Sequence, residues 1–296
     1  MMFAMFALPQ PNDGFEWVQA HAGQALVCRP LEAAASHLFT TRLWPFGSAS
    51  SRDRADAWDD VAKALGVDRS RLARARQVHG AEVLVVHRGC TPSRSFDTDM
   101  ARLPEADIVM SNDPAEAVAV QAADCVPLLV ADRRTGGVAA AHAGWRGLAE
   151  GVPEVAVQRL AREFGSRPAD LLAAIGPSIG ACCYEVGEDV RARFESAGLS
   201  GPQLGRWFLS GPRASRKNPS MPRLAANRRR NHWFFDAWAA TREQLESAGV
   251  PAGQIYVAEL CTASHAETLC SARVEGSRAG RLAGAIRPPN QRPAHC

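Results

Sequence analysis

The sequence predicts a fold that mixes α-helices and β-strands along the whole chain. In some segments the apolar residues recur at helical spacing, and in others they form short continuous runs between turn formers. The two kinds of segment alternate. With 296 residues, the chain suits one large domain or two ordinary ones, with ample length for a core.

Three helices are predicted from apolar spacing combined with start and stop signals. They cover 56–66, 152–165 and the segment between Asp236 and Gly249. The second begins with a proline in its first turn, where proline is tolerated, and Asp236 is a candidate N-cap for the third.

Strand-like runs are rich in apolar residues and end at turn formers. The clearest are 81–89, 117–132 and 136–145, and a further run covers 255–262. The segment 171–180 is expected to run from a strand into a turn.

One segment, 200–232, is rich in Pro, Ser, Asn and Arg and has no periodicity. We expect a flexible basic loop there. Its arginines at 228–230 could contact phosphate or nucleic acid, but a solvated loop is the favoured interpretation. The net charge of +3 is too small to indicate a nucleic-acid or membrane partner.

The apolar start of the chain does not predict a signal peptide, because no basic residue precedes it and Pro9 and Pro11 cut it short. No later run approaches the roughly 18 apolar residues of a membrane span. A cytoplasmic protein with reduced cysteines is therefore expected. Nothing indicates the oligomeric state.

An acid and a thiol, Asp124 and Cys125, interrupt the apolar run 117–132. The turn formers at 132–137 predict a hairpin, and a turn centred there makes Cys125 and His142 neighbours on one face, about 7–8 Å apart if diagonal. A thiolate near an imidazole suits a zinc site, a Cys–His nucleophile pair, or a buried thiol beside a core histidine. His79, followed by a glycine, is a third candidate ligand.

Five segments together resemble a known bacterial family. They are RQVHG, QAADCVPLLVAD, AAAHAGWRG, AIGPSIGACCYEVG and SARVEGSRAGR, in that order. The family is the multicopper polyphenol oxidase (laccase-like) family, also called peptidoglycan editing factor and known for purine nucleoside phosphorylase activity. The resemblance covers about residues 36 to 287.

This resemblance implies an α+β fold, a single domain of layered mixed β-sheets flanked by helices. We place that domain at 36–290, after an N-terminal extension at 1–35. The resemblance also implies a metal site at His79, Cys125 and His142, with zinc as the expected ion and copper possible. Several copper ions would need many histidines, and the eight present include no His-X-His pair, so a multicopper enzyme is not expected.

The expected substrates are purine nucleosides and phosphate. The resemblance implies phosphorolysis of adenosine, inosine, guanosine and methylthioadenosine, and deamination of adenosine. Deamination needs a proton shuttle. Asp124 is one candidate, although its place beside Cys125 on a strand would also suit a supporting role, and Glu185 is its rival. Phosphorolysis needs cations for phosphate, and arginines in family-like segments are the candidates: Arg42, Arg146, Arg273 and Arg281.

Parts of the expected substrate rim depart from the family pattern. A Gly-Gly-Val-Ser type loop usually follows the early Thr-Thr-Arg, and it is missing after Arg42, as is a later Ser-X-Asn-Leu piece. The late Ser-Tyr-Arg-Arg-Asp-Gly pattern reads Ser-Ala-Arg-Val-Glu-Gly at 271–276, and Thr241 stands where asparagine is expected. Two alternatives therefore stay open, a Cys–His hydrolase editing peptidoglycan precursors and a non-catalytic binding protein.

Overall fold

The computed structural model describes residues 8–47, 55–89, 102–199, 201–222, 224 and 229–290. The strands in this part of the chain are β1 (Phe15–Ala20), β2 (Gly23–Cys28), β3 (Ser36–Thr40), β4 (Leu72–Ala73), β5 (Val83–Val86), β6 (Ile108–Ser111), β7 (Ala117–Ala122), β8 (Val126–Asp132), β9 (Val138–Ala143), β10 (Leu171–Ile175), β11 (Glu185–Gly187), β12 (Phe208–Leu209), β13 (His232–Phe235), β14 (Ile255–Val257) and β15 (Leu282–Arg287). The α-helices are α1 (Arg29–Glu32), α2 (Ala55–Ala64), α3 (Trp145–Ala149), α4 (Val152–Phe164), α5 (Glu188–Ser196), α6 (Gly201–Trp207), α7 (Ala237–Ser247) and α8 (Ala272–Glu275).

The strands form two six-stranded sheets and a small three-stranded one. The first sheet has the order β1-β2-β3-β15-β7-β4, and the second has the order β14-β10-β8-β9-β6-β5. Both contain parallel and antiparallel pairs, because β4 runs parallel to β7, and β14 runs parallel to β10. The third sheet has the order β11-β13-β12.

The two large sheets pack face to face, and helices cover their outer faces. Side chains alternate between the faces of a strand, so Val118 and Val120 of β7 meet Leu129 of β8 between the sheets. In β8, Val126 and Leu128 point to the other face of the second sheet and pack against α4 and α7. Helix α2 covers the first sheet from outside. The predicted single α+β domain of layered mixed sheets flanked by helices is confirmed.

The apolar run 117–132 is two strands, which corrects the prediction of one. Residues 123–125 connect β7 in the first sheet to β8 in the second, and Asp124 within this connection has φ +85°. A positive φ breaks an extended strand. The acid and thiol of the sequence therefore mark the point where the chain crosses between sheets.

The hairpin between β8 and β9 is confirmed. Pro127 pairs with His142 and Val126 with Ala143, as the turn between Arg134 and Thr135 requires. Extending this register by one residue sets Cys125 opposite Gly144, with His142 diagonal to Cys125. The position of the turn therefore decides which residues reach the site.

The three predicted helices form with bounds within a few residues of those expected. They are α2, α4 and α7, and the Asp236 carboxylate accepts the amide of Ala239 as the predicted N-cap. The strand prediction for 255–262 was too long, because β14 ends at Val257.

The start of the segment 200–232 is helical, which corrects the prediction of a loop. Gly201–Trp207 forms α6, and Trp207, its last residue, is fully buried. The burial of this tryptophan stabilises the helix, although the polar composition of the surrounding segment predicted a loop. Arg228 lies outside the described residues.

The residues before position 36 contribute strands to the first sheet. The hairpin of β1 and β2 joins β3 through antiparallel pairing of Ala25 with Thr40. The boundary between an extension at 1–35 and a domain at 36–290 stays a prediction. Among the described helices, none is both long and apolar enough to cross a membrane.

Candidate metal centre

Three of the residues singled out from the sequence converge at one end of the second sheet. His79 lies between β4 and β5, Cys125 directly precedes β8, and His142 is in β9. Their ligand atoms all lie within 4.8 Å of one another. His142 is buried, Cys125 is half-buried and His79 is exposed, so the cluster opens on the His79 side.

The two histidines meet at a right angle because a buried carboxylate orders both segments. Their ring centroids are 4.8 Å apart at 81°. Asp107, at the start of β6, accepts a hydrogen bond from His142 Nδ1 at 2.8 Å and from the amides of Val78, His79 and Gly80 at 2.9 to 3.1 Å. These amides hold His79 at φ +63°, a conformation that a non-glycine residue rarely adopts.

Gly144 provides space for the cluster. A Cβ atom there would lie 2.9 Å from Cys125 Sγ and 3.2 Å from His79 Cδ2. Any larger residue would displace both ligands. The glycine of the His-Ala-Gly-Trp-Arg-Gly stretch is thus required by a close approach of two side chains to the backbone.

Charges on Cys125 and His142 stabilise each other. Burial raises the pKa of the Cys125 thiol. The charges and hydrogen bonds of His142 and His79 lower it by more than burial raises it, so that the pKa is about 6. Burial lowers the pKa of His142, whereas Cys125 and Asp107 raise it to about 9. Burial also raises the pKa of Asp107, but His142 and the amides bring it below its ordinary value. Without a metal, the pair is a thiolate and an imidazolium at neutral pH.

This donor set fits a zinc ion. Zinc takes thiolate sulfur and imidazole nitrogen, and a catalytic site uses three protein ligands with a fourth position open. The hydrogen bond from Nδ1 of His142 to Asp107 leaves Nε2 as the free ring nitrogen, the arrangement by which carboxylates orient metal-binding histidines. Copper also accepts this set of donors.

Asp124 supports the loops around the cluster. One carboxylate oxygen accepts the Thr262 hydroxyl at 2.6 Å, and the other accepts the Arg273 amide at 2.6 Å. Burial raises the pKa of this carboxyl despite these bonds. Glu185, the other candidate proton shuttle, lies in the third sheet, where its Oε1 atom is 3.4 Å from His232 Nδ1.

Two of the four candidate arginines lie beside Tyr184, which packs near the cluster. The Arg273 guanidinium is 5.5 Å from the Tyr184 ring centre, and Arg146 stacks on Trp145 at 4.3 Å. Burial raises the pKa of Tyr184, the charge of Cys125 raises it further, and Arg273 and Arg146 oppose the shift. The tyrosine hydroxyl therefore stays protonated at neutral pH.

The Arg273 guanidinium also donates to the Glu185 carbonyl oxygen at 2.8 Å, and the other two arginines are likewise engaged within the protein. Arg42 forms an ion pair with Glu275 at 2.7 Å and also donates to the carbonyl of Ala266. Arg281 donates to the carbonyls of Ala279 and Gly280 in its own loop. These contacts favour structural roles for both side chains.

Asp107 is the site residue that the sequence analysis missed. The only signal is an aspartate placed directly before the apolar strand β6, much as the Asp-Cys-Val-Pro segment sets Asp124 two residues before β8. A buried carboxylate needs partners, so such an acid at the start of a buried strand could have been singled out as a support for a site.

The fold and the cluster together define an α+β protein with a His₂Cys group near the point where the chain crosses between two sheets. Residues 51–288 match the family model described as multi-copper polyphenol oxidoreductase laccase. The chain belongs to this family.

Several relatives carry functional names. A purine nucleoside phosphorylase of Deinococcus radiodurans is 32% identical over 87% of this chain and 91% of its own length. Another, of Bacteroides thetaiotaomicron, is 34% identical over 66% of this chain, and the match spans 65% of that relative. Adenosine deaminase RL5, of an unknown prokaryote, is 30% identical over 76% of this chain and 78% of its own length.

A solved structure has the same fold. The crystal structure of the hypothetical protein YfiH of Bacillus licheniformis superposes with a TM-score of 0.76, at 26% identity, over 94% of this chain and all of its own. The likeness covers both large sheets, which supports treating the described residues as one domain.

Proposed function

We propose that this protein is a zinc-dependent purine nucleoside enzyme that carries out phosphorolysis and deaminates adenosine. The observation that carries the proposal is the cluster of His79, Cys125 and His142, with all ligand atoms within 4.8 Å and Asp107 fixing both histidines. The names of the relatives support the choice of nucleosides as substrates.

The three ligands would hold the ion, and zinc bound there would supply Lewis-acid chemistry and activation of water. Gly144 keeps their ligand atoms together, and Asp107 keeps His142 in the tautomer with a free Nε2. We expect copper to bind in the same place when it is supplied, because copper also accepts these donors.

Arg146 and Arg273 are the proposed phosphate-binding residues. Both are exposed and both lie close enough to Tyr184 to act on its pKa. A guanidinium offers two parallel donors to phosphate oxygens, which suits it to orient the anion. Tyr184 stays protonated and can donate a hydrogen bond to a bound nucleoside.

Asp124 is proposed as a positioning residue rather than a proton shuttle. Both of its oxygens already accept hydrogen bonds, from Thr262 and from the Arg273 amide. Through the second bond it fixes the start of α8, and with it the arginine proposed to bind phosphate. Its hydrogen bonds thus act on substrate binding through the backbone.

A second candidate function is a Cys–His hydrolase. It is favoured by one observation, the low pKa of about 6 of Cys125 beside an imidazolium. Such a thiolate is a competent nucleophile in a metal-free protein.

The deciding experiment is chromatography of adenosine incubated with pure protein, with and without phosphate, before and after chelation. Adenine formed only with phosphate, or inosine formed without it, supports the nucleoside enzyme when Cys125→Ser and chelation both remove the activity. Absence of product from zinc-loaded protein contradicts it. Activity on amide substrates that resists chelation but is blocked by alkylation would favour the hydrolase.

A further inference from the structure

A second group of soft donors lies outside the candidate metal centre. Cys182 and Cys183 are in the turn between β10 and β11, and Cys261 follows β14. The three sulfurs all lie within 4.8 Å of one another. Each of the three side chains is at most 2% exposed, and none is in a disulfide.

The sheet brings these two chain segments together. Strands β10 and β14 are parallel neighbours, so both leave the sheet in the same direction. An isolated parallel bridge between Ser178 and Cys261 extends the pairing beyond the strands. The Gly180 amide then donates to Cys261 Sγ at 3.3 Å. Both segments therefore hold their sulfurs in place through backbone contacts.

Among the described residues, the contacts of these thiols with oxygen atoms are long. The Ser264 hydroxyl is 3.5 Å from Cys182 Sγ and 3.6 Å from Cys183 Sγ, and Cys183 Sγ is 3.6 Å from the Pro219 carbonyl oxygen. A single buried cysteine is readily explained as a small apolar residue. The three cysteines do pack in an apolar cluster with Ile179 and Ala263, but that packing does not require three sulfurs from two segments to converge beside a common hydroxyl.

The cluster borders a cavity through which an ion could enter. Cys182 forms part of the wall of a cavity of about 370 Å³, together with Arg213, Asn218, Asp236 and Trp238. More of its wall is apolar than polar, but side chains such as Ser215, Asn218 and Asp236 give it polar positions that water can contact. The trio is therefore buried but not sealed from solvent.

We propose that Cys182, Cys183 and Cys261 form a second metal site, for a thiophilic ion of the zinc(II) or copper(I) type. Thiolate ligands select such ions. An ion about 2.3 Å from each sulfur requires sulfurs roughly 3.8–4.0 Å apart. The observed upper limit of 4.8 Å means that the sulfurs need to move by at most about 1 Å. Binding releases the thiol protons to solvent.

The proposed ion would brace two loops of the candidate metal centre. Tyr184 directly follows Cys183, and Thr262, which donates to Asp124, directly follows Cys261. A link between these cysteines would fix both neighbours. The site therefore has a structural role in this proposal, and it does not depend on which reaction the protein catalyses.

The test separates the two sites by substitution. Zinc(II) alone and copper(I) alone are added in separate titrations to reduced, metal-free chain, and bound metal is counted after gel filtration. For the ion that belongs to the trio, we expect two ions per native chain, one for Cys125→Ser, one for Cys261→Ser and none for the double variant. The matched control Cys28→Ser replaces another buried cysteine and should bind two.

Two outcomes would overturn the proposal. One is a Cys125→Ser chain that binds neither ion, and the other is a Cys261→Ser chain that still binds two. If Cys261→Ser does not fold, a second measurement replaces its metal count. The Cys125→Ser chain is alkylated with and without metal, and the labelled cysteines are identified by peptide mass analysis. Metal should then slow labelling of the three cysteines at least tenfold and leave Cys28 unchanged. Equal labelling with and without metal would also count against it.

Discussion

Asp107 accepts a hydrogen bond from His142 Nδ1 at 2.8 Å, and the same carboxylate accepts the backbone amide of His79 at 3.1 Å. One buried acid therefore positions two of the three candidate ligands, one through its ring and one through its backbone. The first ligand comes from β9 and the second from the loop before β5. Without this acid the two segments have no common anchor.

The first prediction concerns Asp107→Asn. An amide leaves the geometry nearly intact but removes the charge that orients His142, so zinc affinity should fall about 10–100-fold. Competition with a chromophoric chelator measures this. The control Glu105→Gln removes a nearby exposed carboxylate that pairs with Arg76 and should bind zinc as the native protein does. Equal zinc affinity in native and Asp107→Asn protein would contradict the assigned role.

The second prediction concerns Asp124. Replacing it with asparagine weakens its hydrogen bonds with the Thr262 hydroxyl and the Arg273 amide and should destabilise the protein by about 1–3 kcal/mol, measured by urea unfolding. Because Asp124 is proposed to position its neighbours, both Asp124→Asn and Thr262→Val should lower the activity. In both variants the pH–rate profile should keep its shape. Loss of one limb of that profile in Asp124→Asn alone would identify a proton shuttle instead.

Several parts of the fold and the site could be predicted from sequence because local rules determine them. The turn formers after β8 fix the register of the β8–β9 hairpin, and that register brings Cys125 and His142 together. Helix α7 is bounded by the N-cap Asp236 and by Gly249, which has a positive φ.

Other parts depend on contacts between distant segments. An apolar run such as 117–132 has the same sequence pattern whether it stays in one sheet or crosses to another. The break at Asp124 can therefore be recognised only from the three-dimensional arrangement of the two sheets. Asp107 has no periodic signal, since its partners come from two other segments. Cys261 joins Cys183 only because β14 lies beside β10.

The third prediction concerns the pH dependence of alkylation in the metal-free protein. The pKa of Cys125 is lowered to about 6, so the reactive thiolate should be present above this pH and lost below it. The rate of iodoacetamide labelling should therefore rise with a midpoint near pH 6. In His142→Asn the midpoint should move upward. Burial raises the pKa of Cys28 to about 12, and this cysteine should stay unlabelled as an internal control.

The fourth prediction separates phosphate binding from nucleoside binding. Arg146→Ala removes an exposed guanidinium proposed to bind phosphate, so the KM for phosphate should rise at least tenfold, while deamination of adenosine, which uses no phosphate, should change little. Arg159→Ala on α4, where the arginine pairs with Glu163, is the matched control. A parallel loss of both reactions in Arg146→Ala would show that this arginine serves a step common to both.

The fifth prediction concerns Gly144→Ala, which alters the candidate metal centre without removing a ligand. The added Cβ would lie 2.9 Å from Cys125 Sγ, which forces the sulfur to shift, and 3.2 Å from His79 Cδ2, which must give by a few tenths of an ångström. Zinc affinity and nucleoside activity should both fall at least tenfold, while circular dichroism stays native. Gly205→Ala is the matched control, because a Cβ in α6 meets nothing within 4 Å and alanine favours a helix. Native zinc affinity in Gly144→Ala would mean that the ligands bind metal in an arrangement other than the one inferred from this cluster.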